Sequence, residues 1–364
     1  MITRTVKATA VAAAAAVLLA SCALTPPQVI TSAARPAKPT LTQVGDRLRG
    51  PMPSYYVSLP QLGEIAQIDP TTGQIANTFD IGGSLGAMLA DSVQPKVFAI
   101  SGNSIAVVNT VFHHIVTRIP LPEPARSWSL ASKSSRLYVA GALAVYVIST
   151  STYQVVATVT MPSTIGAIAA SPQHHKVFVT LPATDRIAVI DTPSDVLEKR
   201  AIYTGSCNGH QCKPIGIAVS ADGRYAVALS TADAYSIGID AGTNHVMSKT
   251  QLSCRDRHPQ FVGSNDASGL AWFYPCERFS GAPLVPVSLQ PPFNELPFSD
   301  NFYGEIAPVQ VAFGPDGAGF LVGYCPRYCR YSYLIAISTT NVISGTSQMP
   351  SVVGGIAYVP LISR

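Results

Sequence analysis

From residue 54 onward, apolar and polar residues alternate in short runs, and nowhere is the three-to-four spacing of an amphipathic helix sustained. One strand type recurs throughout and ends each time in Asp, Asn or Ser. Residues 64–69 read EIAQID, 104–109 SIAVVN, 145–149 VYVIS, 186–191 RIAVID, 235–240 YSIGID, 284–288 LVPVS and 333–338 YLIAIS. Aligning Ile68, Val108, Ile148, Ile190, Ile239, Val287 and Ile337 gives intervals of 40, 40, 42, 49, 48 and 50 residues. Four strands of about five residues with their turns need about 40, so the spacing predicts seven four-stranded units.

A second element recurs between these strands: a small apolar strand, a turn, then an aromatic-rich strand. Residues 215–227 (IGIAVSADGRYAV) and 309–322 (VQVAFGPDGAGFLV) are the clearest copies. Asp222-Gly223 and Asp316-Gly317 are hairpin dipeptides, suited to turns whose central residues need positive φ. Within one unit the strands are labelled A (GIAVS-like), B (LYV-like), C (AVID-like) and D (VVATV-like). The domain opens on Tyr55-Tyr56-Val57, a B strand, and closes on 354–359, an A strand. The C-terminus is therefore expected to supply the inner strand of the first unit, with Ile356 beside Val57. That closure hides the sheet edges of a ring. The predicted fold is all-β, a seven-bladed β-propeller of four-stranded antiparallel blades closed by its C-terminal strand.

Leu137-Tyr138-Val139, Asp191 and Asp222-Gly223 carry a resemblance to the YVTN-type β-propeller repeat family. It extends over most of residues 54–360. Residues 171–175 (SPQHH) depart from the Pro-Asp-Gly turn of that unit, and the sixth copy is poorly preserved. The resemblance implies an architecture and says nothing of an activity.

The first residues read as an export signal. Arg4 and Lys7 precede an apolar run from Ala10 to Ala20, which is 11 residues long. At about 1.5 Å per helical residue this run is too short for a hydrocarbon core of about 30 Å, and it suits a signal peptide. Leu19-Ala20-Ser21-Cys22 resembles the lipobox of bacterial lipoproteins, which implies cleavage before Cys22 and acylation of that cysteine. The expected organisation is a signal peptide over 1–21, a lipidated Cys22 with a Pro/Ala/Thr-rich tether over 22–53, and the propeller over 54–364. The chain is then extracytoplasmic and held on a membrane by its lipid.

The formal charge is +4, and loss of Arg4 and Lys7 with the signal leaves +2. No basic run of five occurs, so a nucleic-acid partner is not expected. Beyond Cys22 the cysteines number six, an even count that favours disulfides in an exported protein. The expected pairs are sequence neighbours: Cys207 with Cys212, Cys254 with Cys276, and Cys325 with Cys329. Zinc on Cys325 and Cys329 is disfavoured by the oxidising compartment.

Strand alternation puts the A–B and C–D turns on one face of the ring, the turn face, and the B–C and D–A connections on the other, the loop face. The long segments 205–214, 253–259, 275–283, 290–308 and 324–332 fall on the loop face of blades four to seven, together with all six cysteines. They carry Arg255, Arg257, His258, Glu277, Arg278, Tyr303, Arg327 and Tyr328, the Arg and aromatic composition of a recognition surface. The His113-His114 and His174-His175 pairs belong to turns and lack partners at ligand spacing, so no metal site is expected. No nucleophile elbow, phosphate loop or metalloprotease motif appears, and no cofactor is expected. These observations favour a monomeric binding or scaffold module for an envelope protein, glycan or lipid. The alternative is a propeller enzyme, lactonase-like or quinoprotein-like, with a site over the central channel.

Overall fold

A computed structural model describes residues 53–171, 174–231, 234–252, 260–265, 268–274, 285–296, 307–324, 332–339 and 343–360. The strands form a seven-bladed β-propeller. Blade two runs from inner to outer strand through Met88–Ala90, Lys96–Ser101, Ser104–Asn109 and His114–Pro120. Blade three comprises Ser127–Ala131, Arg136–Ala140, Ala144–Ser149 and Val155–Thr160. Blade four comprises Ile168–Ser171, Lys176–Leu181 and Arg186–Asp191, with an outer strand broken into Val196–Leu197 and Ile202–Tyr203. Blade five comprises Pro214–Val219, Tyr225–Ser230, Tyr235–Asp240 and His245–Gln251. In blade six Gln260–Asn265, Leu270–Tyr274 and Val285–Ser288 pair, and a Val287–Glu295 bridge marks the outer position. Blade seven comprises Ala307–Phe313, Gly319–Tyr324, Ser332–Ile337 and Ile343–Met349.

Blade one is assembled from both ends of the domain. Ser54–Leu59, Glu64–Ile68 and Ile75–Asp80 supply its outer three strands, and Gly355–Val359 supplies the inner one. The pairing is antiparallel and runs from Ser54 opposite Val359 to Ser58 opposite Gly355, with Val57 facing Ile356 as the repeat predicts. Closure leaves no unpaired seam between first and last blades.

The strands alternate yet are buried on both faces, because each blade is packed between two others. In strand C of blade three, Val145 and Val147 join a cluster with Val177, Val179 and Ile190 of blade four. The intervening Tyr146 and Ile148 join Phe98, Ile105 and Val107 of blade two. Among the described residues seven such clusters occur, one at each junction of successive blades. The cluster between blades seven and one holds Val57, Ile356, Phe320 and Val322. Each buried aliphatic side chain contributes about 1.5–3 kcal/mol, so the ring is held by its interfaces as much as by its sheets.

At the channel, inner strands present an open edge to one another, and small polar side chains satisfy it. Ser127 and Ser129 of blade three accept hydrogen bonds from the Ile168 and Ala170 amides of blade four at 3.2 and 2.9 Å. Gln310 of blade seven accepts from the amides of Ile356 and Met88, each at 3.2 Å, and donates to the Met88 carbonyl at 2.7 Å. One side chain thus ties blades seven, one and two. A Cβ on Gly355 would lie 2.6 Å from Gln310 Oε1, so glycine is what lets it pass.

Candidate recognition face

The two faces of the ring use polar residues for different ends. On the turn face, the Asp, Asn or Ser that closes strand C accepts hydrogen bonds from amides two and three residues ahead. Asp69 takes Thr71 N–H at 2.7 Å, Asn109 takes Val111 N–H at 2.8 Å, and Asp240 takes Thr243 N–H at 2.8 Å. Ser149 and Asp191 do the same at 3.2 Å. These turns need their own caps because a tight reversal leaves amides without strand partners. The donated bonds hold the Asp240 carboxyl below its ordinary value. The repeated Asp of the sequence is therefore a turn cap.

The C–D turns of blades one to six each then place a residue in the left-handed region: Gly73, His113, Tyr153, Asp195, Asn244 and Phe293, with φ from 53° to 66°. Several of these side chains key into the preceding blade. Lys96 of blade two donates to the Tyr153 hydroxyl and stands 5.0 Å from its ring centre. Tyr138 of blade three donates to Asp195 at 3.1 Å, and Arg136 forms an ion pair with it at 3.7 Å. The Lys176 ammonium of blade four donates to Asn244 Oδ1 and to the Ala241 and Gly242 carbonyls, each at 3.0 Å. Tyr225 of blade five meets Phe293 edge-on, with ring centres 5.6 Å apart. The His113 ring stacks on Phe79 of blade one, and burial lowers its pKa. At the first junction burial also pushes the Tyr56 hydroxyl up to about 12 while it donates to the Thr110 carbonyl at 3.3 Å. The turn face is spent on assembly.

The position of Phe293 corrects one expectation. The whole of 290–308 was expected on the loop face. Residues 289–294 instead form the C–D turn of blade six, because Val287 bridges back to Glu295. Phe293 is 1% exposed and packs over Gly238 of blade five. A Cβ at Gly238 would stand 2.2 Å from its ring, whereas the aligned residues of blades two, three and four are Val107, Val147 and Val189.

The loop face between blades four and five carries a built projection. Ser206–Cys207 and His210–Gln211 pair antiparallel about Asn208 and Gly209, whose φ values of 49° and 80° fit the Asn-Gly hairpin turn. The Cys207–Cys212 disulfide closes its base with Cα atoms 4.9 Å apart. Both sulfurs are buried in the cluster between blades four and five, while Asn208, Gly209, His210 and Gln211 are exposed. Asp185 anchors the exit strand. It is 3% exposed, and its carboxylate accepts from the Lys213 amide at 2.8 Å while its carbonyl accepts from the Thr204 amide and hydroxyl. The Lys249 ammonium donates to the Ser206 carbonyl at 2.9 Å, and burial lowers its pKa. Ser230 donates to the Cys212 carbonyl. A hairpin so fixed presents its tip without a large ordering cost on binding.

Of the residues expected to form the site, Cys207 and Cys212 are paired as predicted. Arg255, Arg257, His258, Glu277, Arg278, Tyr303, Arg327 and Tyr328 lie outside the described residues, as do Cys22, Cys254, Cys276, Cys325 and Cys329. Asp185, Lys213 and Lys249 were not singled out from the sequence, since nothing local links positions 185, 213 and 249. Among the described residues no three His, Cys, Asp or Glu side chains converge as metal ligands would.

No family model matches the chain, and no curated protein matches it. Solved structures do. A putative 6-phosphogluconolactonase from Bacteroides uniformis superposes with a TM-score of 0.66 at 12% identity, covering 84% of this chain and 99% of that one. The Cps50 (Swd1) β-propeller domain of Myceliophteria thermophila gives 0.61 at 13% identity, covering 78% and 92%. The dihydro-heme d1 dehydrogenase NirN gives 0.59 at 12%, covering 85% and 76%. At such identities the likeness is one of fold.

Proposed function

We propose that this chain is an exported lipoprotein of the YVTN-repeat type, anchored through Cys22, whose propeller recognises an envelope component with its loop face. The observation that carries this reading is the contrast between the faces. Described turn-face side chains cap turns and lock blades, whereas the loop face holds a stapled hairpin with an exposed tip. Strand order in the sequence leads us to propose that Arg255, Arg257, His258, Glu277, Arg278, Tyr303, Arg327 and Tyr328, which lie outside the described residues, belong to the same recognition surface. Rigid projections with aromatic and Arg neighbours favour recognition because little conformational entropy is lost on contact. An enzymatic reading rests on fold likeness to a lactonase and a dehydrogenase, which is analogy alone.

The test places a photo-crosslinking residue at His210 on the loop face or at Phe112 on the turn face, in cells producing the full chain. Discrete adducts from position 210 and none from 112 support the reading. Equal labelling from both positions, or labelling only from 112, rejects the loop face as the recognition surface.

A further inference from the structure

The inner strands of blades two and three meet differently from the rest. At the other junctions successive inner strands run close together along the channel. Between Met88–Ala90 and Ser127–Ala131 the strands stand apart. The side chains that face each other there are enlarged. Strand registers align Leu89 with Ser129, Ala169, Ala218, Ala312 and Ala357, all small. They align Trp128 with Met88, Ile168, Ile217, Val311 and Ile356, none of which is more than 5% exposed. Leu89, Trp128 and Leu130 pack against the cluster that contains the buried Phe98, yet all three stay partly exposed. Every residue of Ser127–Ala131 is partly exposed, whereas the inner strands of blades one, four and five are mostly buried. Extra bulk on both sides holds the two strands apart and leaves an apolar gap open to the channel.

The polar groups beside this gap are unspent. The Trp128 indole N–H has no hydrogen-bond partner among the described residues. Arg126 is exposed and lies two residues nearer the loop face, about 7 Å along the strand. Its guanidinium has neither an ion pair nor a hydrogen bond among the described residues. Glu123, close in sequence, is engaged elsewhere: it accepts from the Ala142 amide and the Tyr146 hydroxyl, each at 2.9 Å.

We infer that the gap between the inner strands of blades two and three binds a small aromatic carboxylate, with its ring between Leu89 and Trp128 and its carboxylate toward Arg126. A flat ring suits a gap walled by one indole, because facing aromatic surfaces add to the gain from area burial. A carboxylate matches an unpaired guanidinium, with which it forms charge-assisted hydrogen bonds. Apolar walls with a few convergent polar groups are the composition of small-ligand sites. The inference goes beyond the recognition reading, since it concerns a small ligand in the channel wall and not the hairpin.

The experiment uses the full chain with 15N-labelled indoles and the probes 2-naphthoate, 2-naphthalenemethanol and octanoate. Trp128 and Trp272 are the two tryptophans, and the fully buried Trp272 serves as the internal control. Naphthoate is expected to shift the Trp128 indole resonance and leave that of Trp272 in place. In calorimetry the neutral alcohol should bind roughly ten-fold more weakly, as should naphthoate to Arg126→Ala, the worth of one charge-assisted hydrogen bond. Trp128→Ile should abolish binding without unfolding the chain, because blades one, four and five carry Ile at that position. Lys199→Ala, on the outer side of blade four, should bind like the parent. Static Trp128 resonance at millimolar naphthoate, binding that survives Trp128→Ile, an alcohol as tight as the acid, or octanoate as tight as naphthoate overturns the inference. None of these outcomes bears on the crosslinks from position 210, so the two readings fail separately.

Discussion

The C–D turns and the 204–213 hairpin sit at opposite ends of the strands and draw on the same kinds of residue. At the turns, an Asp caps amides and a left-handed residue reaches sideways into the neighbouring blade, as Asp195 does toward Tyr138 and Arg136. At the hairpin, the left-handed Asn208 and Gly209 point the chain outward, and the bonding is gathered at the base. The difference shows how one repeat separates its tasks. In blades two to six, one end is used to hold blades in order, which releases the other end to vary in length and chemistry. Keys of different chemistry at successive junctions (a cation on Tyr, a hydroxyl on Asp, an ammonium on Asn, two aromatic rings) also distinguish one junction from the next.

That contrast can be broken by substitution. Phe293→Ala empties a buried aromatic site between blades five and six and is expected to cost about 3–5 kcal/mol in urea denaturation. An unchanged midpoint would remove the claim that turn-face residues carry assembly. Replacing both Cys207 and Cys212 with Ala is expected to cost about 2 kcal/mol, because the staple closes a short loop. Its larger effect should be on crosslinking from position 210, which depends on the hairpin holding its shape.

Asp240→Ala removes a turn cap and is expected to cost about 1 kcal/mol at neutral pH. Since the folded carboxyl titrates below its ordinary 3.8, its contribution is complete above that value and is lost as pH falls through the folded pKa. Acid titration of stability should therefore flatten in the variant, and an identical acid limb in both proteins contradicts the capping role. The smallest effect is expected at the hairpin tip. His210→Ala with Gln211→Ala should move stability by less than about 0.5 kcal/mol while reducing recognition. A large loss of stability there would place the tip with the structural residues.

Much of the fold was legible in the chain itself. Period-two alternation and the terminal Asp, Asn or Ser of strand C mark each blade, because a strand buried on both sides and a capped turn are local requirements. The match of Val57 with Ile356 was legible for the same reason: the first blade lacks its inner strand and the last segment has that pattern. The broken outer strand of blade four and the turn-face position of Phe293 were not legible. The first turns on a Glu198 amide bonding back to Val189 within the blade, the second on an open Gly238 in the adjacent blade.

The sequence by itself determined the number of blades, their strand order and the closure of the ring, since hydrophobic period and turn chemistry act over a few residues. Only the tertiary structure decided which polar residues are spent and which are offered. Asp185 meets the Lys213 amide, and Lys249 meets the Ser206 carbonyl, because blades four and five pack face to face. Likewise, Gln310 makes three hydrogen bonds to two residues, Met88 and Ile356, on two other blades. Such meetings follow from the curvature of a closed ring, which no short stretch of the chain encodes.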